Sequence, residues 1–200
     1  KNIDVTGLDS SPLALKVCRQ RGLRKTRQMC FSDIGRFPAG SFDTVVMMGN
    51  NFGLMGGPKA AGARLAALYK VTAPGGIVIA ETGDPYLTDN PDHLRYQQRN
   101  RLRGRMAGQM RLRVRFEDTA TPWFEYVFVS PAELNGMLLD SGWEIERLIK
   151  SGGPQYVMVL RKTALKRRDM SDAFSAALKS WLDGGSDTDI SELDNGLLLK

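Results

Sequence analysis

Disulfide and metal chemistry have little to work with in this chain. Its 200 residues hold two cysteines, Cys18 and Cys30, and a single histidine, His93. The cysteines lack ligand spacing, so no metal site is expected, and they read as buried thiols of a reducing compartment, the cytoplasm. No apolar run approaches the roughly 20 residues that a membrane helix requires, and no charged-then-apolar leader opens the chain, so no membrane partner is expected. Acids and lysines are absent from the stretch His93 to Phe116, which instead carries eight arginines. The remainder of the chain sums to a slightly negative charge, so the net +6 is local and does not by itself mark a nucleic-acid protein.

With 42% hydrophobic and 25% charged residues the composition is that of a globular chain. Strand and helix patterns alternate through the first half, which predicts parallel strands joined by crossover helices. Residues 3–9 form a strand that ends in Asp9. Pro12 follows Ser10-Ser11 and opens a helix that stops at Gly22. Residues 27–33 give a second strand, again ending in an acid, Asp33. Residues 42–48 are a continuous apolar run, typical of a strand buried on both faces. It leads into the loop Gly49-Asn50-Asn51-Phe52-Gly53. A helix over residues 59–71, the turn Pro74-Gly75-Gly76 and a buried strand over residues 77–81 come next.

The rhythm then changes. A polar, arginine-rich stretch precedes two alternating runs, residues 110–116 and 123–129, which read as an inserted β-hairpin. Ser130-Pro131 starts another helix, and residues 143–149 and 156–160 form a closing antiparallel pair. The expected fold is a Rossmann-like, doubly wound α/β domain over residues 1–162, interrupted at about 85–130 by the insertion. Residues 163–200 are expected to hold one amphipathic helix and a disordered acidic tail.

An aspartate at the carboxyl end of a strand in such a sheet sits where nucleotide ribose hydroxyls arrive, and its carboxylate accepts from both. Asp9 is therefore a candidate cofactor ligand, with a plain helix cap as the alternative. The strand and glycine-rich turn that should precede it have no counterpart, because the sequence opens at Lys1-Asn2. On that reading the chain is a fragment, expected to show a gap in mid-sheet, collapse of the flanking strands onto each other, or poor stability.

The order of elements and the residues at the strand ends together resemble the class I S-adenosylmethionine-dependent methyltransferases over about residues 3–162. The resemblance implies that Asp9, with Ser10 beside it, holds the ribose of S-adenosylmethionine, and that Asp33 and Ile34 contact the adenine. It also implies that Gly49, Asn50 and Asn51 lie under the methionine moiety and the reacting methyl. A turn cap at Asp33 and a plain turn at Asn50-Asn51 remain open, and Phe52 and Met55 read as packing.

A sulfonium methyl is already activated, so methyl transfer needs mainly an aligned nucleophile and excluded water. If a base is used, His93 and Glu81 are the candidates. Arg111, Arg113 and Arg115 share one face of a strand. With Trp123 they are candidate substrate ligands for an acceptor bearing carboxylate or phosphate, against a solvated face or a subunit contact for the arginines and core packing for the tryptophan. The expected reaction is methyl transfer to a small molecule, with nucleic acid the less favoured acceptor. A nicotinamide-dependent dehydrogenase and a non-catalytic remnant with an arginine-rich surface for RNA or acidic ligands are the competing readings.

Overall fold

The computed structural model describes residues 3–150 and 152–164. The expected tail helix and acidic end lie outside the described residues. Among the described residues no helix is long and apolar enough to cross a membrane.

The chain opens with the predicted unit: strand β1 (Thr6–Asp9), helix α1 (Pro12–Gln20) and strand β2 (Lys25–Gln28), with β1 and β2 parallel. Ser11 caps α1 by accepting the Ala14 N–H, and Pro12 occupies the first turn, where its missing N–H costs nothing. The second strand is shorter than predicted. The chain leaves it after Gln28, and Asp33 lies instead in a 3-10 helix, Phe31–Arg36, that tucks Ile34 into the core. A run of Phe-Ser-Asp-Ile-Gly has too little β-branched character to hold a strand against that burial.

Strand β3 (Phe42–Met47) leads through a second 3-10 helix, Asn51–Met55, into α2 (Pro58–Val71) and the long β4 (Thr72–Gly83). β3 and β4 are parallel, with an irregularity between Phe42 and Thr44. The expected burial of β3 on both faces does not hold, since Val46 is 62% exposed and Met48 also faces solvent. Met47, on the other face, is buried in the core that α2 covers. A continuous apolar run reports its own hydrophobicity, not what stands against it.

Beyond β4, helix α3 (Pro91–Leu102) is capped by Asn90, whose side chain accepts the Asp92 N–H. The predicted strand over 110–116 divides into β5 (Gln109–Leu112) and β6 (Arg115–Phe116). β6 pairs with β7 (Thr119–Ala120), and β5 pairs with β8 (Phe124–Val127), so the inserted hairpin is built of two antiparallel segments in series. Helix α4 (Pro131–Leu138) starts on a capping box between Ser130 and Glu133. Strands β9 (Trp143–Lys150) and β10 (Gln155–Lys162) close the fold as the predicted antiparallel pair.

The main sheet runs β3-β4-β10-β9, and β1-β2 is a separate parallel pair. Among the described residues no strand pairing joins β1-β2 to the main sheet. The core lies between the main sheet and the α2 and α4 helices, filled by Phe52, Met55, Leu65, Leu68, Val78, Leu134, Met158 and Leu160.

Candidate active site

In an open parallel sheet, ligands bind beyond the carboxyl ends of the strands, where the strand order reverses. Here those ends are Asp9 on β1, Gly49 and Asn50 after β3, and Glu81 near the end of β4.

Asp9 is half-buried, and its Oδ1 accepts the Ser11 N–H at 2.7 Å. Ser11 caps α1, so Asp9 does not serve as the helix cap, and its Oδ2 carries no hydrogen bond from the described residues. Ser10 is exposed, and its carbonyl accepts from Gln28 at 3.4 Å.

After β3 the backbone takes two consecutive left-handed residues, Gly49 at φ 70° and Asn50 at φ 61°. Glycine adopts this conformation freely, and asparagine at a modest cost. Two side chains from distant elements pin the turn. Glu81 Oε2 accepts the Gly49 N–H at 3.0 Å, and the Tyr126 hydroxyl donates to the Asn50 carbonyl. Tyr126 lies on Gly53, where an added Cβ would stand 2.2 Å from its ring. It continues edge-to-face into Phe124 and Phe128. Burial raises the Tyr126 pKa, and the Glu81 charge adds to that. The phenol is held protonated, as a donor to Asn50 must be. Asn50 Oδ1 is buried and unpartnered. An unpaired buried acceptor costs about 1 to 3 kcal/mol, so this oxygen is a standing place for a donor.

The other sequence candidates divide. Asn51 is exposed at the start of the 3-10 helix, whereas Phe52 and Met55 are fully buried, as packing requires. Asp33 is partly exposed and faces Arg36 at 3.8 Å. The Ile34 side chain is buried in the core, which leaves only its main chain to face a ligand. His93 is exposed on the first turn of α3, with Nδ1 3.1 Å from Thr88 Oγ1. No hydrogen bond among the described residues joins it to Glu81 or the Asn50 turn. Arg111, Arg113 and Arg115 are exposed, but they fall on β5, on the link to β6 and on β6 itself rather than along one strand. The Arg111 and Arg113 guanidiniums lie over the Trp123 ring, 5.8 and 4.8 Å from its centroid. Among the described residues no group of three or more His, Cys, Asp or Glu could hold a metal.

The contact of Tyr126 with Asn50 was not legible in the sequence. Asn50 lies 76 residues upstream, and nothing local to the Phe-Glu-Tyr-Val strand points there. The small residue at Gly53 is the one trace of the contact.

With its parallel pair ending in Asp9, its left-handed turn after β3 and its antiparallel closing pair, the chain shares its fold with solved S-adenosylmethionine-dependent methyltransferases. Residues 1–80 match the family model described as a methyltransferase domain. The chain is similar in structure to a S-adenosylmethionine-dependent methyltransferase from Bacteroides fragilis in complex with S-adenosylhomocysteine. The TM-score is 0.63 at 24% identity, over 79% of this chain and 62% of that one. This chain thus spans less than two thirds of that protein's length. A S-adenosylmethionine-dependent methyltransferase from Methanosarcina mazei gives a TM-score of 0.58 at 18% identity, over 79% of this chain and 81% of that one. The 1,6-didemethyltoxoflavin-N1-methyltransferase of Burkholderia thailandensis gives 0.50 at 18% identity, over 80% of this chain and 61% of that one. No curated protein matches the sequence.

Proposed function

We propose that this protein acts in S-adenosylmethionine-dependent methyl transfer to a small-molecule acceptor. The observation that carries the reading is the turn at Gly49-Asn50. Glu81 and Tyr126 fix its backbone, and the Asn50 Oδ1 within it is buried without a partner.

The residues fit the cofactor. Asp9 keeps one carboxylate oxygen uncommitted for ribose hydroxyls. Beyond its two chain neighbours, no atom of another described residue stands within 4 Å of where a Gly49 side chain would begin, so a ligand has room against the main chain there. Asp33 and the main chain of Ile34 are the expected adenine contacts. Bound S-adenosylmethionine supplies an activated methyl on a sulfonium. The protein's part is to bind, orient and exclude water, and positioning of this kind is worth about 7 to 11 kcal/mol in favourable cases. Glu81 spends an oxygen on Gly49, so its first role is to hold the turn; its other oxygen is the nearer candidate for a proton acceptor than His93. The Burkholderia thailandensis neighbour is solved with 1,6-didemethyltoxoflavin and S-adenosylhomocysteine bound, which supports a small-molecule acceptor here.

Calorimetric titration of S-adenosylhomocysteine into the full chain tests the reading. Saturable binding, weakened about 10- to 150-fold by Asp9→Ala, is expected from the loss of hydrogen bonds to a charged group. Binding of a nicotinamide dinucleotide in its place would overturn it, as would S-adenosylhomocysteine binding indifferent to Asp9.

A further inference from the structure

Helix α3 is turned inside out relative to an ordinary amphipathic helix. Its buried residues are Gln97 and Asn100, while Leu94, Tyr96 and Leu102 are exposed. Gln97 donates to the Pro85 carbonyl at 2.6 Å, and Asn100 donates to the Ala107 and Gln109 carbonyls at 3.0 and 2.6 Å. The Asn100 bonds join the end of α3 to the start of β5, and the Gln97 bond ties the helix to the segment before it.

Of the eight arginines in this stretch, Arg95 has a carboxylate partner, Asp92, and among the described residues the others form no ion pair. Their charge is not consumed within the fold. Beside them stand exposed rings: Trp123 is 52% exposed, and Phe116, next to Arg115 on β6, is 74% exposed. Trp123 carries the Arg111 and Arg113 guanidiniums. A guanidinium laid on an indole is held flat, and its planar fork suits phosphate.

We propose that α3 and the β5–β6 arm form a binding surface for single-stranded nucleic acid, with phosphates on the unpaired arginines and bases stacked on Trp123 and Phe116. Free guanidiniums interleaved with exposed rings are the combination that single strands exploit, because every base offers a π-face once it is unstacked. A duplex hides those faces. An acidic peptide would satisfy the arginines and leave the rings without a matching flat surface. The β5–β6 arm continues the hairpin whose Tyr126 holds the Asn50 turn, but oligonucleotide binding is read directly and its test does not depend on the proposed function.

The test is fluorescence anisotropy with the full chain and labelled oligouridine and oligothymidine of about 15 nucleotides, at about 50 to 200 mM salt, beside a polyglutamate peptide of similar length. Saturable oligonucleotide binding that weakens with salt is expected. Each of Arg113→Ala and Arg115→Ala should reduce the slope of log K against log salt by about 0.7. Trp123→Ala should weaken binding about 5- to 150-fold, the value of one stacked base, while Trp123→Phe stays within a few-fold of the parent. Urea melts matching the parent establish that these exposed substitutions leave the fold intact. A ribose or deoxyribose preference would name the natural source, and either supports the proposal. Absence of oligonucleotide binding at about 50 mM salt would overturn it, and so would polyglutamate binding as tightly or an affinity indifferent to Trp123→Ala.

Discussion

The Tyr126 hydroxyl donates to the main-chain carbonyl of Asn50, and through this bond the inserted hairpin holds the turn that ends β3. The two residues come from segments that share no local sequence relationship. The contact makes the site a joint product of the sheet and the insertion.

Gly53→Ala tests how firmly the ring is seated. The new methyl would meet the Tyr126 ring at 2.2 Å, and the ring is itself packed against Phe124 and Phe128. Overpacking of this kind costs about 1 to 3 kcal/mol. Urea unfolding should show that loss in the parent and much less of it in a Tyr126→Ala background, a coupling that a double-mutant cycle measures.

Asn50→Gly separates stability from binding. The substitution removes the left-handed strain of a side-chain-bearing residue and the buried, unpaired Oδ1, against a backbone-entropy cost of about 0.5 to 1 kcal/mol. Unfolding free energy should be no lower than in the parent, while affinity for S-adenosylhomocysteine falls. A fall in stability with unchanged affinity would show that the amide serves the turn and not the ligand.

Alkaline pH should destabilise the fold through the phenols whose pKa the folded state raises. Burial is the main cause raising the Tyr126 and Tyr156 pKa values, and Tyr86 is raised by burial and then by its hydrogen bond to Glu133. A folded pKa above the unfolded value of about 10 means that the folded state keeps protons the unfolded state has lost. The contribution is complete below about pH 10 and is lost as pH rises through the folded values. Urea midpoints measured across that range should fall. The fall should be shallower in Tyr156→Phe, which also loses its 2.9 Å bond to the Val129 carbonyl and starts from a lower stability.

Ser130→Ala removes the cap of α4. Ser130 Oγ accepts the Glu133 N–H at 3.2 Å, and the Glu133 carboxylate returns to the Ser130 N–H at 2.8 Å. Loss of about 0.5 to 2 kcal/mol is expected in urea unfolding, because α4 brings Leu134 and Leu138 into the core. Ser130→Asp keeps an acceptor and should recover most of it.

Local chemistry made much of the fold legible. Ser11 and Ser130 each announce a helix because a short polar side chain before a proline has few other uses, and both accept a first-turn N–H. Asp9 was legible for the same reason, as an acid at the end of an apolar run. Non-local contacts were not. Nothing in the run ending at Met48 shows that Val46 would face solvent, since exposure depends on what covers a strand. The segment around Asp33 carries an acid where a strand end was expected, but burial of Ile34 decided its conformation. The arginine pattern promised one strand face, and the break at Arg113-Val114 divided it between two short ladders.

Helix α3 is fastened by side-chain amides on main-chain carbonyls, from Gln97 to Pro85 and from Asn100 to Ala107 and Gln109. Directional bonds with little apolar area behind them respond to solvent differently from a packed interface. Release of this helix would expose little hydrocarbon, and so would carry a small heat-capacity change and a shallow dependence on denaturant. Cooling, which weakens apolar contacts, would leave its attachment largely intact.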